Sequence, residues 1–96
     1  MSMPINSSTS FTIPPQVMSR LVGDETVLLD LASGMYFGID GVGRRIWESV
    51  AAGMNCGDIA LAIASEYDVE LDQARDDVLE FLSSLAERGL VLADQI

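Results

Sequence analysis

Residues 26 to 47 read TVLLDLASGMYFGIDGVGRRIW, and the hydrophobic period changes inside that stretch. Up to Ile39 the apolar residues come in aliphatic and aromatic runs broken by a glycine-bearing turn, which is the pattern of strands. From Asp40 onward they recur at helical spacing, with Ile46, Trp47 and Val50 on one stripe. The chain therefore passes from sheet to helix at this point and does not return to a long strand run.

Working outward, Val17 to Val22 (VMSRLV) and Thr26 to Leu31 (TVLLDL) flank Gly23-Asp24-Glu25, the composition of a hairpin loop. Ala32-Ser33-Gly34 turns the chain again into Met35 to Ile39. Two-residue alternation puts Val27, Leu29 and Leu31 on one face of their strand and Met35, Phe37 and Ile39 on one face of the next. These six are the expected contribution of a three-stranded antiparallel meander to the core.

Asp40 is the expected N-cap of a first helix that ends at Gly53. Asn55 is placed to cap a second, with Asp58 in its first turn and Ile59, Ala60, Ile63, Ala64 and Tyr67 as its buried face. A third runs from about Leu71 to Arg88, with Ala74, Val78, Phe81, Leu82 and Leu85 in one row and Gly89 closing it. Leu79 and Ala86 widen that apolar face sideways. Leu90-Val91-Leu92 is expected to pack back on the domain. Residues 1 to 10 read as a mobile tail and 11 to 96 as one domain, with Phe11-Thr12-Ile13 at most a short edge piece before Pro14-Pro15. The fold class is α+β, with strands and helices segregated along the chain.

Composition narrows the function. Fifteen acidic residues against five arginines, with no histidine, give a formal charge of −10. Such a surface repels phosphate backbones, so nucleic acid is a poor partner. Cys56 is the only cysteine, which leaves neither an internal disulfide nor a zinc or iron-sulfur ligand set. No apolar stretch approaches the ~20 residues needed to cross a bilayer, and no export signal precedes the domain. The expected location is the cytoplasm.

No catalytic constellation emerges. Asp76-Asp77 is an acidic doublet, but successive helical residues diverge by about 100° and do not converge on one proton or metal. Cys56 at a helix start has no histidine to act as its base. Gly38-x-x-Gly41-x-Gly43 follows a strand and opens a helix, yet it departs from the dinucleotide fingerprint and lacks the second strand of a βαβ unit. Arg44-Arg45 is expected to pair locally with Glu48. What remains is backbone and apolar surface: Met35 to Ile39 is either ordinary core or a free sheet edge able to take an extended peptide.

The run from Val27 through Tyr36-Phe37-Gly38-Ile39-Asp40 to Arg45-Ile46-Trp47 resembles the PqqD-like family, also called RiPP recognition elements. The likeness continues through Gly53, Asp58-Ile59-Ala60 and Tyr67 into Asp77-Val78-Leu79-x-Phe81-Leu82-x-x-Leu85 and Gly89-Leu90. The lead-in Phe11-x-Ile13-Pro14-x-x-Val17 is similar to free-standing members from lasso peptide clusters. Glu70-Leu71 departs from an acidic cap followed by proline, which concerns only the start of the third helix.

The resemblance implies a winged helix-turn-helix-like fold without catalytic activity, cofactor or metal. It implies binding of a precursor leader peptide as an antiparallel strand and its presentation to a leader peptidase and a cyclase, or, in the pyrroloquinoline quinone branch, to a radical SAM enzyme. Carried onto this chain, the docking strand is Met35, Tyr36, Phe37, Gly38 and Ile39. The facing helix surface is drawn from Asp77, Val78, Phe81, Leu82 and Leu85. A winged-helix DNA-binding regulator is the alternative from another class, and its third helix would have to expose cations. Here Arg75 and Arg88 stand among Asp72, Asp76, Asp77, Glu80 and Glu87.

Overall fold

The computed structural model describes residues 8–39 and 41–94. Strands β1 (Ser10–Thr12), β2 (Val17–Val22), β3 (Glu25–Asp30) and β4 (Tyr36–Ile39) precede helices α1 (Gly41–Ala51), α2 (Cys56–Tyr67) and α3 (Leu71–Glu87), and β5 (Leu92–Asp94) follows. Strands β2, β3 and β4 form the antiparallel meander in that order. This is the expected α+β arrangement, a three-stranded sheet followed by three helices in winged helix-turn-helix-like form. Residues 1–7 of the expected tail and the Asp40 cap lie outside the described residues. Ser10 already belongs to β1, and the Thr9 carbonyl accepts a hydrogen bond from the Cys56 N–H at 2.9 Å.

Local chemistry explains the turns. Val22 pairs with Glu25 across a two-residue loop whose first residue, Gly23, sits at φ +63°. A hairpin loop of this length needs a positive φ at that position, which glycine supplies without strain. The second turn is organised by Asp30. Its carboxylate accepts from the Ala32 N–H at 3.0 Å and the Ser33 hydroxyl at 3.1 Å, and its carbonyl accepts from the Gly34 N–H at 2.8 Å. Asp30 thus ends β3, and Met35 lies in the turn before β4.

Asn55 caps α2 as expected, accepting from the Asp58 N–H at 2.8 Å. Helix α3 starts at Glu70 without a side-chain cap bond. Its end is closed by the Leu90 N–H donating to the Leu85 carbonyl at 2.9 Å, with Gly89 at φ +74°. Leu90 and Val91 are fully buried, and β5 then pairs antiparallel with β1, Phe11 opposite Ala93. The chain ends therefore meet in a second, two-stranded sheet.

The core joins Leu28 of the sheet to Ile46, Trp47 and Val50 of α1, Ile59 and Ile63 of α2, and Ala74, Val78, Leu82 and Leu85 of α3. The expected sheet face is corrected at four of six positions. Leu28 is 0% exposed and Thr26 shares its face, whereas Val27, Leu29 and Leu31 lie on the uncovered side. Met35 is 56% exposed, in the turn. Phe37 and Ile39 do pack on the core. The reason is physical: VLLDL is apolar on both faces, so alternation leaves its phase open, and a shift of one residue exchanges the faces. Pairing of Leu28 with Phe37 and Thr26 with Ile39 decides it.

Two further expectations change. Tyr67, at the last position of α2, is exposed and lines a shallow pocket with Arg44 and Glu48. Arg45 pairs with Glu66 of α2 and not with Glu48: Nε and Nη2 each donate to the carboxylate at 2.8 Å, while Nη1 reaches the Ser49 hydroxyl at 2.9 Å. The packing of α1 on α2 offers the planar guanidinium a two-pronged partner that its own helix does not. This contact lowers the Glu66 pKa and raises that of Arg45.

Candidate functional site

Strand β4 is an edge of the sheet, and the ladder phase determines which of its backbone groups are free. The Asp30 N–H donates to the Met35 carbonyl at 2.9 Å. Bonded pairs alternate along an antiparallel ladder, so Phe37 bonds Leu28 and Ile39 bonds Thr26. The N–H and C=O groups of Tyr36 and Gly38 consequently point off the open edge. A strand laid antiparallel against β4 would bond to these two residues, and its residues opposite Phe37 and Ile39 would turn their side chains toward the helices.

On that side lies an open groove of about 440 Å³ lined by Gly38, Ile39, Val42, Gly43, Ile46, Asp77 and Phe81. Its floor is made by a close approach between α1 and α3. A Cβ at Gly43 would stand 3.1 Å from the Phe81 ring, so glycine there lets the ring lie against the α1 backbone. The groove continues along α3 past Glu80 and Ser84. At its other end the Arg88 guanidinium sits 5.4 Å from the centre of the Phe37 ring, within cation–π range.

The expected site residues divide into three groups. Tyr36, Phe37, Gly38 and Ile39 form the edge, and Asp77 and Phe81 face it across the groove. Met35 stands just before the edge in the turn. Val78, Leu82 and Leu85 are buried in the core beneath the groove, where they hold α3 in place. Sequence reasoning missed Val42, Gly43, Ile46, Glu80, Ser84 and Arg88. Gly43 alone carried a signal: glycine inside a helix costs ~1 kcal/mol relative to alanine and marks a close approach when it is kept.

The remaining reactive groups are quiet. Cys56 is buried, and desolvation pushes its thiol up to about 11, so it stays protonated at neutral pH. Among the described residues, no three histidine, cysteine or carboxylate side chains are grouped to hold a metal ion. No described helix is long and apolar enough to cross a membrane.

With this geometry in hand, comparison with known proteins is decisive. The family described as coenzyme PQQ synthesis protein D (PqqD) matches residues 25–91. The chain belongs to the PqqD family. It is a PqqD-like RiPP recognition element, as the resemblance in sequence implied. The PqqD match spans β3, β4 and all three helices, and so includes both walls of the groove.

Two solved structures are similar over most of their length. TbiB1, solved in complex with the TbiA(beta) leader peptide, is 40% identical with a TM-score of 0.78, covering 82% of this chain and 92% of that one. A lasso peptide synthetase B1 complexed with the leader peptide is 30% identical with a TM-score of 0.81, covering 86% of this chain and 98% of that one. No curated protein matches the chain.

Proposed function

We propose that this PqqD-family chain is a non-catalytic module that binds the leader of a ribosomally made precursor peptide by strand addition to β4. It then presents the precursor to a leader peptidase and a cyclase of lasso peptide biosynthesis. The observation that carries this reading is the juxtaposition of the open edge at Tyr36 and Gly38 with the apolar groove floored by Gly43 and Phe81. Main-chain bonds supply affinity to any extended segment, and the groove selects the alternate side chains.

The lasso branch is favoured over delivery to a radical SAM enzyme by the two similar structures, both B1-type proteins solved with leader peptides. The DNA-binding alternative is disfavoured by α3, whose exposed positions include Asp72, Asp76, Asp77, Glu80 and Glu87. On this reading Met35 to Ile39, Asp77 and Phe81 contact the peptide, while Val78, Leu82 and Leu85 act from the core.

The test is a titration of fluorescein-labelled TbiA(beta) leader peptide into the full chain, followed by anisotropy. Saturable binding at micromolar protein is expected. It should be lost to an unlabelled competitor and spared by a competitor N-methylated at every second amide, on the residues whose side chains face away from the groove and whose N–H groups bond to β4. Absence of binding at tens of micromolar, or tight binding to duplex DNA at low salt, would overturn the reading.

A further inference from the structure

The groove has opposite charges at its two ends, and the direction of the docking strand turns that into a rule about the peptide. At the Ile39 end stand Asp77 and, one turn further along α3, Glu80. At the Phe37 end stands Arg88, held over the Phe37 ring. Arg88 has no ion pair among the described residues, although the chain carries fifteen carboxylates. Of the other arginines, Arg45 and Arg75 are engaged with Glu66 and Asp72. Arg88 is thus a positioned cation with its charge left for a partner.

We infer that the groove selects an extended peptide of defined charge order, with a basic side chain N-terminal to an acidic one on the groove-facing positions. This rests on strand addition antiparallel to β4. Strand β4 runs from Tyr36 to Ile39, so an antiparallel partner enters beside Ile39 and Asp77 and leaves beside Phe37 and Arg88. Its earlier residues meet the carboxylates and its later ones meet the guanidinium.

The spacing follows from element geometry. Ile39 and Phe37 stand two residues apart on β4, about 7 Å, with Asp77 lining the groove beside the first and the Arg88 guanidinium over the ring of the second. Groove-facing positions of the partner recur every second residue, so the two charges fall two apart, or four where long side chains reach outward. Asp77 and Arg88 are both exposed, so these contacts act on selectivity and encounter rate more than on total affinity. The surplus negative charge of the chain strengthens the preference for a basic leading segment.

The experiment is selection of displayed random peptides of about twelve residues on the immobilised full chain, beside titration of the TbiA(beta) leader. Enriched peptides are expected to carry Lys or Arg two or four residues before Asp or Glu. A synthetic pair differing only in exchange of the two charges should differ about tenfold in Kd at low salt, and less as salt is raised. R88E should remove the acidic preference and D77K the basic one, each with unchanged helical circular dichroism. Binding of the leader together with enriched peptides lacking this order, or carrying the reverse, would overturn the inference and leave strand addition standing. Failure of both the leader and the library to bind would overturn the two together.

Discussion

The meander ends on two open strands, β2 and β4, and they differ in what lies beneath them. Both present unpaired backbone groups. The Leu31 N–H donates to the Gln16 carbonyl at 2.9 Å, which sets the β2–β3 phase and turns Ser19 and Leu21 outward on β2, as Tyr36 and Gly38 are on β4. Under β2 the hollow measures about 280 Å³, and Arg20, Arg44 and Glu48 stand in its lining. Under β4 it measures about 440 Å³, with Ile39, Val42, Ile46 and Phe81 supplying apolar walls and Asp77 the one charged side chain. Free backbone groups make an edge available to any strand. A groove for alternate side chains is what makes it selective.

The sharpest way to break this contrast is to remove the floor under β4. Phe81→Ala is expected to lower leader affinity about thirtyfold, corresponding to roughly 2 kcal/mol of lost apolar contact. The same change lowers folding stability by about 2 kcal/mol, less than for a fully buried phenylalanine because one side of the ring faces the groove. Denaturant titration followed by Trp47 fluorescence separates the stability effect from peptide anisotropy. Unchanged leader affinity in folded F81A would dissolve the distinction between the edges.

Next in size is the comparison of matched prolines. Tyr36→Pro removes an outward N–H at the first residue of β4, where proline is tolerated, and should weaken leader binding about tenfold. Ser19→Pro removes the equivalent outward N–H on β2 and should leave affinity within about twofold. Equal effects from the two variants would mean that the peptide does not choose between edges.

A smaller effect is expected from Gly43→Ala. The new methyl presses on the Phe81 ring, which can yield only into the groove, while the helix gains ~1 kcal/mol of propensity. Stability should hold or rise slightly as leader affinity falls a few-fold, a split that isothermal titration and thermal melts read separately. Smallest of all is Glu66→Gln, far from either edge. Because the Arg45 contact lowers the folded-state pKa of Glu66, its stabilisation is present above the ordinary carboxylate range and fades as pH falls through the lowered value. Melting midpoints of the two proteins should therefore differ slightly at neutral pH and converge in acid, with leader binding unchanged.

Much of this molecule is legible in the sequence because its signals are local. The capping pair Asn55 and Asp58, the closing glycines at 53 and 89, and the turns at Gly23 and Gly34 depend on chemistry within a few residues. The rows Ile46, Trp47, Val50 and Ala74, Val78, Phe81, Leu82, Leu85 are read from helical period alone, and all are buried except Phe81, which is half-buried beside the groove. Strand β4 is likewise visible as an aromatic run between two glycine-bearing turns.

What the sequence by itself determined, then, is the order of elements, the α+β class and, through resemblance, the family. Tertiary structure decided everything that depends on two distant segments meeting. The face of β3 turned on its register with β4, because an apolar run such as VLLDL fits either way. The pairing of β5 with β1 joined the two ends of the described chain, which no local pattern encodes. The partner of Arg45 came from another helix. The groove exists because Gly43 of α1 leaves room for Phe81 of α3, and its polarity arises because the end of α3 brings Arg88 over Phe37. Periodicity reports which side of an element is apolar; only packing decides which neighbour that side meets and how much space remains between them.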